Sequence, residues 1–74
     1  MEVYLVVMYD RHVDDQYAVC RTLIGAQHEA DEFRQSYGNR YQWGKQDDSD
    51  TWLYRYESGE EGPHVHIERV MLKP

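Results

Sequence analysis

His64-Val65-His66 sets two imidazoles on one side of an extended segment, and Glu68 follows on the same side. Imidazoles at this spacing hold a transition metal when a third ligand converges with them. No CxxC, HExxH or related spacing accompanies the pair, so the histidines read as surface residues beside a proline-containing turn, and no metal is expected. Asp47, Asp48 and Asp50 resemble the opening of an acidic calcium loop. Such a loop needs a glycine at its sixth position and a bidentate glutamate at its twelfth, where this chain has Trp52 and Ser58. Cys20 is the only cysteine, which excludes an internal disulfide, and in mid-strand a buried, inert thiol is the default. The chain has no glycine-rich phosphate loop and no G-x-S-x-G, and a deep cleft is beyond a domain of this size. No catalytic residue and no cofactor is expected, and the chain does not read as an enzyme.

The residues that stand out are rings. Two Trp, seven Tyr and one Phe make the aromatic content 14%, and Trp52, Tyr54 and Tyr56 alternate along one short strand. Alternation puts these three on one side of the strand, with Leu53, Arg55 and Glu57 on the other. Beneath a helix the rings would complete a thin core; on an uncovered face they would be anchors for a partner.

Composition narrows the class. The 74 residues allow one domain, 1–74, and a domain of this size buries only about 60% of its unfolded surface. A mean hydropathy of -0.91 with 30% charged residues would suit disorder if the apolar residues were scattered. They are grouped in periodic runs instead, which implies a folded domain with a solvated exterior. The net charge of -6 disfavours direct binding to nucleic acid or to an anionic membrane and favours a partner with a basic surface. Val3 to Tyr9 is too short to span a bilayer and follows Glu2 rather than a basic stretch, so it reads as a strand, and a cytoplasmic location is expected.

The elements that must position these groups follow from the pattern. Val3 to Tyr9 is apolar on both alternating sides, as in a central strand. Asp10 to Asp15 is a polar connection, and Gln16 to Ile24 reads as a second strand. Gly25 then breaks the strand ahead of a helix whose stripe is Ala26, Ala30, Phe33 and Tyr37, with Glu29, Asp31 and Glu32 toward its N-terminal half and Gly38 as its stop. Residues 39–50 read as a long loop holding Tyr41 and Trp43. Thr51 to Glu57 is the third strand and His64 to Lys73 the fourth. The expected fold is α+β, in the order β-β-α-β-β: a four-stranded antiparallel sheet with one helix packed on one face. One helix covers one side of such a sheet, yet Tyr4, Val6 and Met8 alternate with Val3, Leu5 and Val7. One apolar face is therefore short of cover. With the three rings under the helix, Tyr4, Val6 and Met8 would be the residues left to shield.

Two stretches carry a resemblance: Ile24-Gly25 followed by the helix AQHEADEFRQSYG, and the C-terminal strand HIERVMLKP. In pattern they are similar to small early proteins of bacteriophages, among them inhibitors of host RNA polymerase and anti-CRISPR proteins of the same size and acidity. The resemblance implies a phage-encoded inhibitor that binds a host protein or nucleoprotein complex, a CRISPR effector or RNA polymerase, in the host cytoplasm.

From charge and aromatic content, the expected partner-binding residues are Trp43, Trp52, Tyr54, Tyr56 and Tyr41. The acids Asp14, Asp15, Glu29, Asp31, Glu32, Asp47, Asp48 and Asp50 would steer the encounter. The alternatives are a homodimerising structural or regulatory domain and a small single-stranded nucleic-acid binder that stacks bases on the aromatic strand.

Overall fold

The two longest strands, one near each end of the sequence, pair with each other at the centre of the molecule. In the computed structural model, which describes residues 1–47, 49, 52–59 and 62–73, the order is β1 (Glu2–Tyr9), β2 (Gln16–Cys20), α1 (Leu23–Gln35), β3 (Gly44–Asp47), β4 (Tyr54–Glu57) and β5 (His64–Met71). β1 and β5 run antiparallel along their whole length, from Glu2 opposite Met71 to Tyr9 opposite His64. The Leu72 amide donates to the Met1 carbonyl at 2.7 Å just beyond that ladder. The sheet order is β2-β1-β5-β4-β3, with every neighbouring pair antiparallel. β2 and β3 therefore lie at opposite edges and point the same way, and α1 carries the chain from one edge toward the other.

The class is α+β with one helix, as expected, but the described residues form five strands. The fifth is β3, inside the stretch expected to be a loop. Its sequence, Gly-Lys-Gln-Asp, has no apolar alternation and all four residues are exposed. It is a strand because β4 offers a ladder, with Lys45 opposite Tyr56 and Asp47 opposite Tyr54.

The helix begins earlier than Gly25. Thr22 is its N-cap, with extended backbone (φ -126, ψ 152) and a side-chain oxygen that accepts from the Gly25 amide at 3.0 Å. β2 accordingly stops at Cys20. Gly25 lies inside the first turn rather than breaking the strand, and a Cβ there would stand 3.0 Å from Thr22 Oγ1. This start leaves no acidic residue in the first turn, so Glu29, Asp31 and Glu32 lie too far along to meet the N-terminal dipole. At the other end Ser36 Oγ donates to the Phe33 carbonyl at 2.6 Å. The Gly38 amide donates to Gln35 at 3.0 Å, and Gly38 at φ 61 supplies the left-handed residue that ends the helix.

The helix lies over β1, β5 and β2. Ala26 and Ala30, both fully buried, let it approach the sheet closely, and Val6, Met8, Val65 and Ile67 meet them from below. Burial of each large aliphatic side chain contributes about 1.5–3 kcal/mol. Tyr4, Ala18, Cys20, Leu23, Phe33, Tyr54 and Tyr56 close the margin of this core. The register explains the grouping, because Ile67 stands opposite both Val6 and Tyr54, and Val65 opposite both Met8 and Tyr56. Tyr54 and Tyr56 thus share the helix side with Tyr4, Val6 and Met8. The face without a helix belongs to the other phase, Val3, Leu5 and Val7, which corrects the expectation that Tyr4, Val6 and Met8 would need cover.

Candidate binding surface

Residues opposite one another in a ladder point to the same side of the sheet, so the register assembles the uncovered face residue by residue. On its β1–β2 half, Leu5 stands opposite Val19 and Val7 opposite Tyr17. Leu5 and Val7 are half-buried, while Tyr17 and Val19 at the edge are 62% and 68% exposed. β2 divides its residues by size: the small Ala18 and Cys20 fit under the helix, and the larger Tyr17 and Val19 face outward.

The β5–β4 half of the same face is polar and aromatic. His64 lies opposite Glu57, and His66 opposite Arg55. The Tyr9 ring stacks on His64 with centroids 4.5 Å apart and planes 18° from parallel. Trp52 leans on His66 at 6.1 Å, and the Arg55 guanidinium sits 5.0 Å from the centre of the indole. Two carboxylates tie this stripe down. His66 Nε2 and Glu68 Oε2 are 2.8 Å apart, and Arg55 Nε lies 3.3 Å from Glu57 Oε2. The indole N–H of Trp52 and the Nδ1 atoms of His64 and His66 are buried without a hydrogen-bond partner. Such atoms are costly and uncommon in a native interior. Burial, and then the nearby Arg55 and His66, hold the His64 imidazolium below the ordinary histidine range. His64 is consequently a neutral, stacked ring at neutral pH.

Trp52 is on this face because the chain bends at Leu53. The Leu53 amide donates to the Ile67 carbonyl at 2.7 Å, and the Leu53 side chain lines a groove on the helix side. The alternation expected to keep Trp52 with Tyr54 and Tyr56 is interrupted there. The three rings fall on two faces.

The helix side holds the other expected anchors. Tyr54 and Tyr56 are half-buried at the core margin, with Lys45 Nζ 4.7 Å from the Tyr54 ring centre and Arg34 Cζ 4.0 Å from that of Tyr56. Beside Tyr54 an open groove of about 350 Å³ runs between the start of the helix and β3, lined by Leu23, Lys45, Asp47, Leu53 and Arg69. Trp43 and Tyr41 join Phe33 and Tyr37 in a cluster of mostly edge-to-face rings at the end of the helix. The Tyr37 hydroxyl donates to Asp10 Oδ2 at 2.6 Å, linking this cluster to the β1–β2 connection. That bond and the His12 amide hold the Asp10 carboxyl below its usual range, while burial and Asp10 push the Tyr37 phenol up.

The expected acids are dispersed. Asp14 and Asp15 are exposed in the β1–β2 connection, and Asp15 acts electrostatically on His64. Glu29 is half-buried near Cys20, whose thiol is pushed up by burial and then by this carboxylate. Asp31 pairs with Arg34, Glu32 with His28 at 2.9 Å and Asp47 with Lys45 at 3.3 Å. Asp48 and Asp50 lie outside the described residues.

Sequence reasoning left out Tyr9, Tyr17, Val19, Arg55, His64 and His66 as surface groups acting together. The large-small alternation of Tyr17-Ala18-Val19-Cys20 was the signal that could have found part of the set. Among the described residues no group of three metal-ligating side chains converges, and no helix is long and apolar enough to cross a membrane. Compared with family models, curated proteins and solved structures, the chain matches none of them.

Proposed function

We propose that this protein is a non-catalytic binding module that docks a partner protein on the sheet face lacking a helix. One observation carries the reading: a single face combines an exposed apolar field at Tyr17 and Val19 with a stripe of packed rings and cations at Tyr9, His64, His66, Arg55 and Trp52. Aromatic and Arg side chains in a partly desolvated patch are the usual anchors of a protein interface. Asp15, Glu57 and Glu68 stand beside the rings, and the chain carries a net charge of -6, which fits a partner with a basic surface. Proteins that handle nucleic acid have such surfaces. The finer reading is therefore inhibition of a host CRISPR effector or RNA polymerase by occupying its basic channel, in the manner of a phage-encoded inhibitor acting in the host cytoplasm.

The test is binding to purified bacterial RNA polymerase and to purified CRISPR effector complexes, measured at low and high salt. Trp52→Ala and Tyr9→Ala should each weaken binding by roughly 10–100-fold, and added salt should slow association. Unchanged affinity in both variants would remove the face from the account. Failure to bind either target would remove the finer reading.

A further inference from the structure

The outer edge of β2 is complementary to itself. Among the described residues β2 pairs only with β1, so its other side presents backbone donors and acceptors that no strand takes up. The opposite edge, β3, carries Lys45 and Asp47 and is exposed throughout, which is how edges are normally protected from pairing. β2 has no charge within its five residues, Gln16-Tyr17-Ala18-Val19-Cys20, and exposes Tyr17 and Val19 on one side. Charges appear just outside it, Asp15 before and Arg21 after, and both are exposed.

We propose that two copies of this chain associate by antiparallel pairing of β2 with β2 about a two-fold axis at Ala18. In that register residues whose numbers sum to the same value stand opposite one another. Tyr17 faces Val19 of the second copy, an aromatic and β-branched pair of the kind that stabilises sheets. Gln16 faces Cys20. Just beyond the ladder, Asp15 comes beside Arg21 at the bend that leads into the helix, and symmetry makes this ion pair twice. A two-fold axis requires a surface that complements itself, and in this register the segment places opposite charges at both ends and the Tyr17 and Val19 side chains between them. Registers that bring Asp15 opposite Asp15, or Arg21 opposite Arg21, place like charges together and lose the Tyr17–Val19 pairs. The product is one continuous sheet whose uncovered faces join at Tyr17 and Val19. The inference stands apart from the partner reading, because it concerns the edge and needs no foreign protein.

Charge reversal tests it on the full chain by analytical ultracentrifugation at micromolar concentration. The wild type should sediment as a dimer of twice the 8.9 kDa chain mass. Asp15→Arg and Arg21→Asp alone should each weaken the dimer by roughly tenfold, and the two together should restore it. Both positions are exposed, and circular dichroism of each variant checks that it folds. A wild type that stays monomeric at high micromolar concentration overturns the proposal. So does a dimer indifferent to the single reversals.

Discussion

The two faces of this sheet are built from the same strands in alternate phase, yet they do different things with their residues. Under the helix, Val6, Val65 and Ile67 are wholly excluded from solvent against Ala26 and Ala30. The polar groups there stay at the margin, where Lys45 and Arg34 sit over Tyr54 and Tyr56. On the other face Leu5 and Val7 stand beside exposed Tyr17 and Val19, and His64, His66 and Trp52 bury polar atoms without hydrogen-bond partners. One face is arranged for stability alone. The other leaves Tyr17 and Val19 exposed beside a stripe of packed rings, apolar area that contributes little to the isolated fold.

The contrast can be broken by substitution, and the core should respond most. Ile67→Ala should destabilise the fold by about 2–5 kcal/mol in urea unfolding, because it empties the point where β1, β5 and β4 meet under the helix. Val19→Ala on the open face should cost less than about 1 kcal/mol. Equal losses at the two positions would end the distinction between the faces. Next in size, Thr22→Ala should cost about 1 kcal/mol, since it removes the oxygen that accepts from the Gly25 amide and caps the helix. A loss within error would mean that the cap contributes nothing to the helix start.

The smallest expected effects are pH-dependent, and they sharpen the contrast because one group lies on each side. On the open face the fold prefers neutral His64. Its contribution is complete above the unfolded imidazole value of about 6.5 and is lost as pH falls through the lower folded value. Urea midpoints should therefore decline as pH falls below about 6.5, and His64→Gln should flatten part of that decline. At the end of the helix, Asp10 is held low by the Tyr37 hydroxyl and the His12 amide. Its contribution is present above the unfolded carboxyl value of about 3.9 and disappears at lower pH. Tyr37→Phe should reduce the acid sensitivity in that lower window and leave the upper one alone.

Much of the frame was legible in the sequence, and each part that was not has a physical reason. The stripe Ala26, Ala30, Phe33 marked the helix because its period matches the turn of the helix. β1 was legible because Val3 to Tyr9 is apolar on both alternating sides, and β5 was expected over His64 to Lys73. β3 was not, because Gly-Lys-Gln-Asp gains its strand conformation only from the ladder with β4. Alternation within a strand separates two sets of residues but does not say which set meets the helix. That choice is made by the pairing of Val6 with Ile67 and of Ile67 with Tyr54, contacts between residues far apart in sequence. The same limit hid the candidate surface. His66, Arg55 and Trp52 become neighbours only through the β4–β5 register and the bend at Leu53, and single-strand alternation had assigned Trp52 to the opposite side.

On the proposed reading, Trp52 on the uncovered face serves binding and adds little to the stability of the fold. The most direct measurement is the affinity of wild type and Trp52→Ala for purified bacterial RNA polymerase and CRISPR effector complexes, with urea unfolding of the same two proteins alongside. Trp52→Ala should lose binding by roughly 10–100-fold with a much smaller fractional change in stability. Equal affinity of the two proteins for a target that the wild type binds would contradict that reading.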